Sequence, residues 1–317
     1  MKAAIISKYG PPEVLTIQEV AKPTPQKNEI LVEVMTSAVN SGDARIRGAN
    51  FPKGFGLLAR LGLGIRGPRT KILGVSFSGI VAEVGSEVSE FKVGDEVFGM
   101  TGAKMGAYAQ YLVVNSSKCV VHKPKQITHE EAAALPFGGT TALHFLQDKA
   151  RLESGQKILI NGASGSVGAS AVQIAKYLGA NVTGVCSSVN IDTVRSLGAE
   201  KLIDYTKENI YEGTEKYDVV MDTVGNISVK QGKSLLKPGG KLILIVAGLA
   251  ELIMPGKDVI TGTASEKKSD VELLGQLAAS LKYKAVIDKV FPLDQIVEAH
   301  RYVDTGHKIG NVVLKIG

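Results

Sequence analysis

The chain has no tryptophan, two cysteines in 317 residues and an aromatic content of only 5%. With Cys119 and Cys186 far apart in sequence, a disulfide-stapled scaffold is excluded, as is a structural zinc site built on four thiolates. A reducing cytoplasm suits such a chain. No apolar run approaches the roughly 20 residues of a membrane span; Leu57–Ile65 comes nearest and is broken by Arg60 and by glycines. Nor is there a basic block. The formal net charge of +6 is spread along the chain, without the basic and aromatic interleaving of a single-strand binder, so nucleic acid is not an expected partner. The opening residues, Met1 to Ile6, read as a strand and not as a signal peptide.

What is present is a hydrophobic content of 44% and 36 glycines, on a length that exceeds one ordinary core, so two domains are expected. Residues 1–122 carry short β-like runs (Ile30–Met35, Gly79–Val84, Glu96–Phe98, Tyr111–Val114) broken by Gly, Pro, Asn and Asp, the texture of a mostly β module. Residues 123–264 alternate strand and helix, with strands at Lys157–Ile160, Asn181–Cys186, Lys201–Asp204, Asp218–Asp222, Lys241–Val246 and Asp258–Thr261. That alternation predicts an α/β doubly wound parallel sheet. Residues 265–317 hold an amphipathic helix at Asp270–Leu281, a helix through His300 and two short apolar strands, Val286–Phe291 and Asn311–Ile316, which are expected to complete the first module. The nucleotide-type domain is then an insertion into the other.

The richest stretch is KILINGASGSVG at 157–168, followed by an Ala/Val/Ile-rich helix. A buried strand, a loop with Gly162, Gly165 and Gly168, and a helix N-terminus are what a dinucleotide pyrophosphate needs: a tight turn, close backbone approach and N–H groups aimed at negative charge. The whole loop, Gly162, Ala163, Ser164, Gly165, Ser166, Val167 and Gly168, is the expected cradle. About 20 residues on, NAD sites place an acid on the ribose. Here the strand ends in Cys186-Ser187-Ser188-Val189-Asn190. Ser187, Ser188 and Asn190, with Tyr205 closing the next strand, leave room for a 2′-phosphate and donate to it, so NADPH is the expected cofactor. As an alternative, the serines are ordinary turn residues ahead of the next helix.

With these parts laid out, the chain resembles the medium-chain dehydrogenase/reductase superfamily, in its zinc-free quinone oxidoreductase branch. The resemblance runs end to end, through MKAAIISKYGPPEVLTIQEV, ILGVSFSGIVAEVGSEVSEFKVGDEVFG, AALPFGGTTALHFL, NGASGSVG, DVVMDTVGN and EAHRYVDTGHKIGNVVL. It implies a Rossmann sheet inserted into a GroES-like catalytic domain, NADPH, an active site in the interdomain cleft, and a homodimer formed through the edge strand Asp258–Thr261. It also implies reduction of a small hydrophobic quinone or α,β-unsaturated carbonyl compound. A narrower enoyl-thioester or enone reductase is the alternative, as is a weakly catalytic NADPH-binding sensor.

The same resemblance assigns roles. Asn40 is placed beside the nicotinamide ribose and the reacting face, Thr141 on the cofactor, Ala247 and Gly248 at the carboxamide, and Asn311 nearby. Taken alone, Asn40 reads as a turn residue, Thr141 as a helix cap and Asn311 as a strand-entry amide. Where zinc-dependent relatives have a Cys ligand this chain has Asn40, and their Gly-His-Glu region is Gly74-Val75-Ser76. The five histidines (122, 129, 144, 300 and 307) fall at no metal spacing, so no metal is expected. The chain also departs from the pattern. Arg45 stands where relatives often carry a substrate-facing Tyr, with Arg47 following; Ser76 replaces an Asp, and Val189 a basic residue. The proton donor is left unassigned. Arg45 and Arg47 are read either as stabilisers of a developing oxyanion or as partners of carboxylates such as Asp43. The loop Asn50–Thr70 reads as a mobile lid over a hydrophobic acceptor or as a packed Ω-loop. Its cations Lys53, Arg60, Arg66, Arg69 and Lys71 also allow a weak peripheral membrane contact.

Overall fold

The computed structural model describes residues 1–65 and 67–317, so Arg66 lies outside the described residues. The chain divides into two compact units. One comprises Met1–Phe51, Gly56–Phe137 and Glu266–Gly317; the other comprises Pro52–Phe55 and Gly138–Ser265.

The first unit opens with β1 (Lys2–Ile6), β2 (Leu15–Glu19), β3 (Glu29–Val39), α1 (Ser41–Gly48) and α2 (Gly56–Leu63). It continues with β4 (Ser76–Val84), β5 (Glu96–Met100), β6 (Tyr111–Asn115) and β7 (Val120–His122), and α3 (His129–Leu143) follows. The C-terminal segment adds α8 (Lys268–Ala279), β14 (Ile287–Pro292), α9 (Ile296–Asp304) and β15 (Asn311–Lys315). The main sheet runs β14-β15-β3-β4-β5-β7, with β6 also on β3. Strand β3 is its spine. Nine of its eleven residues are buried, because Ile30, Val32 and Val34 pack into a core with Phe77, Val97 and Leu112. Val39, at its far end, joins a second core with Leu73, Tyr108, Ile296, Val312 and Leu314.

The second unit contains β8 (Lys157–Asn161), α4 (Ser166–Tyr177), β9 (Asn181–Cys186), α5 (Ile191–Ser196), β10 (Lys201–Asp204) and β11 (Tyr217–Asp222). Then come α6 (Val229–Ser234), β12 (Leu236–Leu244), α7 (Leu249–Ile253) and β13 (Val259–Ile260). Its sheet is ordered β10-β9-β8-β11-β12-β13, and every pairing is parallel. This is the doubly wound α/β sheet expected from the alternation. The strand order reverses between β8 and β11, the switch point where such sheets bind ligands.

Some boundaries differ from the sequence reading. Residues 123–137 group with the β-rich unit, because Lys123 pairs with Glu96 at 3.2 Å and the Thr36 hydroxyl donates to the His129 carbonyl at 2.7 Å. Strand β12 runs Leu236–Leu244, starting five residues before the expected Lys241 and passing through Pro238, Gly239 and Gly240. Within 50–70, Gly56–Leu63 is helical. Cys119 lies just before β7 and Cys186 ends β9; both are free and buried.

Candidate active site

The three loop glycines have three different jobs. Gly162 has φ +77°, and a Cβ there would come within 2.5 Å of Val224 and 2.7 Å of Thr223, so the turn leaving β8 is both left-handed and tightly packed. At Gly168 a Cβ would lie 2.0 Å from the Gly162 carbonyl oxygen, which lets α4 press against the loop. At Gly165 a Cβ would meet only that same oxygen, at 3.6 Å. The outer face of Gly165 is therefore open to an incoming group. The first bond of α4 that returns to the loop is Ala169 N–H to Gly165 O at 2.8 Å, so the helix N-terminus directs its first-turn N–H groups outward, as suits a pyrophosphate. The floor is built from residues the sequence reading did not single out. Asn161 donates to Asp222 at 2.9 Å and to Asn226 at 2.7 Å. Buried Asp222 in turn accepts from the N–H groups of Val224, Gly225 and Ile227.

The residues read as a 2′-phosphate group lie at the ends of β9 and β10. Asn190 is buried and donates to Ser164 at 3.0 Å and Ser187 at 3.3 Å, joining the loop to the next strand. Its Oδ1 has no partner. Ser188 donates to the carboxylate of Asp204, and Tyr205 is exposed. Asp204 was missed because it lies on the neighbouring strand; hydroxyls of Ser188 and Thr206 hold its carboxyl well below the usual range. Further along, Gly248 caps α7 and follows Ala247. Leu249 N–H donates to Lys53 O at 2.9 Å, so the start of the 50–70 segment is tied to the nucleotide-type unit. Thr141 is buried within α3 and is not an N-cap.

In the β-rich unit, Asn40 follows β3 as N-cap of α1, in a reciprocal capping box. Its Oδ1 accepts from Asp43 N–H at 3.0 Å, and Asp43 Oδ2 accepts from Asn40 N–H at 3.2 Å. The box fixes the amide: Oδ1 faces the helix, and Nδ2 is left as a buried donor without a partner. Asn311, which enters β15 one residue before the Val312–Val39 pair, sits at the same strand end; its amide donates to Val286 O at 3.0 Å. Ser76, opposite Ala38, adds a buried hydroxyl without a partner.

Behind Asn40 lies a buried polar cluster between α1 and α9. Tyr108 donates to Asp43 at 2.8 Å, and the Tyr108 and His300 rings meet edge-on at 5.8 Å. Arg47, 1% exposed, pairs with Asp304 at 2.6 Å. Its partner is therefore Asp304 and not Asp43, and it is turned into the unit's interior. Burial pushes Asp43 up to about 6 despite the Tyr108 and Asn40 bonds. Burial and the Arg47 charge push His300 down to about 3, and neither ring nitrogen has a partner. Tyr108 and His300 carried no local sequence signal. Arg45, on the same helix as Arg47, is half-buried. Among the described residues no group of three or more His, Cys, Asp or Glu side chains could hold a metal ion.

Comparison with known proteins agrees with this architecture. Residues 26–125 match the alcohol dehydrogenase GroES-like domain and residues 197–314 the zinc-binding dehydrogenase family. The chain is 33% identical to 2-methylene-furan-3-one reductase of Solanum lycopersicum over 99% of its length and 79% of the relative. It is 32% identical, with the same coverage, to the chloroplastic NADPH-dependent alkenal/one oxidoreductase of Arabidopsis thaliana. The solved quinone oxidoreductase of Coxiella burnetii superposes with a TM-score of 0.89 at 30% identity, covering 100% of this chain and 99% of that one. The chain thus belongs to the medium-chain dehydrogenase/reductase superfamily.

Proposed function

We propose that this chain is an NADPH-dependent oxidoreductase that reduces quinones or α,β-unsaturated carbonyl compounds without zinc. The observation that carries this reading is the Asn40 amide. A neutral donor, buried and held in one orientation by its capping box, suits the oxygen of a conjugated acceptor. Hydride addition to such an acceptor spreads the new charge over an enolate or phenolate, which one or two neutral hydrogen bonds stabilise. A simple ketone would become a localised alkoxide and would call for a metal or a positioned acid. Asn40 occupies its oxygen in capping α1, and among the described residues its neighbours supply no metal-binding set.

The residues present fit a pyridine dinucleotide. Gly165 leaves the approach open, the first turn of α4 holds the pyrophosphate, and Ser187, Ser188, Asn190 and Tyr205 border the 2′-phosphate. Within the nucleotide-type unit, Thr141, Ala247 and Gly248 are the candidates for the nicotinamide half; within the β-rich unit, Asn40 and Asn311 lie at one strand end. When bound, the reduced nicotinamide supplies the hydride. The chain's own work is to orient the acceptor oxygen on Asn40 Nδ2 and to shield the reacting face, while solvent supplies the proton at the α-carbon. Relatives named for alkenal/one and quinone reduction support this substrate class. An enoyl reductase among the similar structures, at 26% identity, supports an enoyl thioester as the narrower alternative.

We read the assembly as a homodimer. The support is β13, the outermost strand of its sheet, preceded by exposed Ile253 and Met254. Two free cysteines favour a cytoplasmic setting, and among the described residues no helix is long and apolar enough to cross a membrane. The test is NADPH titration followed by its oxidation at 340 nm with quinones, alkenals, enoyl thioesters and simple ketones. Turnover of conjugated acceptors alone is expected. Turnover of simple ketones, or binding with no turnover of any acceptor, overturns the reading.

A further inference from the structure

Arg45 differs from every other described arginine. Arg47 pairs with Asp304, Arg195 with Asp192 and Arg301 with Glu13. Arg60 lies over the Tyr9 ring, Arg69 donates to Leu61 O, and Arg151 is exposed to water. Arg45 alone combines partial burial with the lack of any hydrogen-bond, ionic or ring partner among the described residues. Desolvation lowers its pKa, and no carboxylate offsets that effect. A partly desolvated guanidinium normally recovers its loss on a carboxylate; Arg47 next door does so through Nη2 alone, with Nε and Nη1 left buried without a partner, and Arg45 has no carboxylate at all.

Its place on α1 gives the missing partner a location. Asp43 and Arg47, four residues apart, form the helix face turned to Tyr108 and Asp304. Arg45 is three residues from Gly42 and shares that other face. A Cβ at Gly42 would lie 2.9 Å from Asn40 Oδ1 and 3.7 Å from Phe137, so this face runs beside Asn40, and Arg45 stands one turn along it.

We propose that Arg45 is a specificity-determining residue that binds an anionic group on the acceptor, so that the preferred substrate is a conjugated carbonyl or quinone bearing a carboxylate or comparable acid. This rests on the reductase reading above. The guanidinium offers paired donors matched to a carboxylate, while Asn40 holds the reacting oxygen.

The test uses full-length protein and two acceptors, a nine-carbon methyl ketone enone and the same molecule ending in a carboxylate. Wild type is expected to favour the acid, with a KM that rises with salt. Arg45→Met should lower kcat/KM for the acid by about tenfold or more and leave the neutral enone within about twofold. Arg45→Lys should recover part of the loss. An equal change for both acceptors, or a raised KM for NADPH with either one, overturns the proposal; the second outcome would place Arg45 on a cofactor phosphate. Binding of the saturated keto acid and of its neutral ketone, measured by calorimetry, decides the matter separately. If wild type reduces neither acceptor, the reductase reading fails. Arg45-dependent preference for the keto acid would still stand, and its absence would remove the proposal as well.

Discussion

Replacing Asn40 by serine separates the two jobs of one side chain. Serine is as good an N-cap as asparagine, so its hydroxyl oxygen can accept from Asp43 N–H as Asn40 Oδ1 does at 3.0 Å. What it removes is Nδ2, the buried donor without a protein partner. A buried unsatisfied donor costs about 1–3 kcal/mol, so Asn40→Ser should be at least as stable as wild type in the absence of ligands. Asn40→Ala loses the donor and the cap together and should be about 1 kcal/mol less stable than the serine variant. Catalysis should not distinguish the two. Loss of one donor to a developing oxyanion lowers kcat roughly 100-fold, or about 2.7 kcal/mol. Urea unfolding and NADPH oxidation with an enone measure both quantities. The reasoning is refuted if Asn40→Ser keeps wild-type kcat, or if the activities of the two variants follow their stabilities.

Further outcomes follow from the same geometry. Gly165→Ala should fold with an unchanged melting temperature, since the added methyl meets only an oxygen at 3.6 Å, yet weaken NADPH binding. Gly168→Ala, with backbone at 2.0 Å, should lose stability as well; equal melting temperatures would contradict the division of labour among the glycines. His300 is held neutral down to about 3, so its stabilising contribution is complete above the unfolded value near 6.5 and lost as pH falls. Between pH 7.5 and 5 that loss is about 2 kcal/mol. His300→Leu should lack it, and an unchanged acid response in urea melts would count against the assignment. Asp43 has the opposite sign, because its pKa of about 6 lies above the ordinary carboxyl value of 3.8. Stability falls as pH rises through that window, by about 3 kcal/mol. Asp43→Asn, which keeps an acceptor for Tyr108, should flatten this dependence; a variant less stable than wild type at pH 7.5 would show that the carboxylate charge itself is needed.

The sequence made the nucleotide-type unit legible because its signals are local. Asn181–Cys186 and Lys201–Asp204 are short apolar strands bounded by turn residues, and the observed strands have the same limits. The glycine loop is read from consecutive residues, and Asn190 joins it through Ser164 while also holding Ser187. The 50–70 segment was harder to read. Its glycines and Pro52 resemble a loop, yet Gly56–Leu63 forms two turns of helix. The polar cluster behind Asn40 was illegible for a different reason. Asp43 and Tyr108 are 65 residues apart and Arg47 and Asp304 are 257 apart, and pairings at such separation are created only by packing α1 against the segment before β6 and against α9. The carboxylate beside Ser188 escaped notice similarly, since Asp204 belongs to the next strand and not to the loop.

The most direct measurement follows a label. NADPH deuterated at the transferring position is supplied with an enone, after exhaustive chelation of the protein, and the product is read by deuterium NMR. The account predicts deuterium on the β-carbon of a saturated ketone, at an undiminished rate. Deuterium on the carbonyl carbon of an alcohol, or turnover that stops with chelation and returns with zinc, would contradict it.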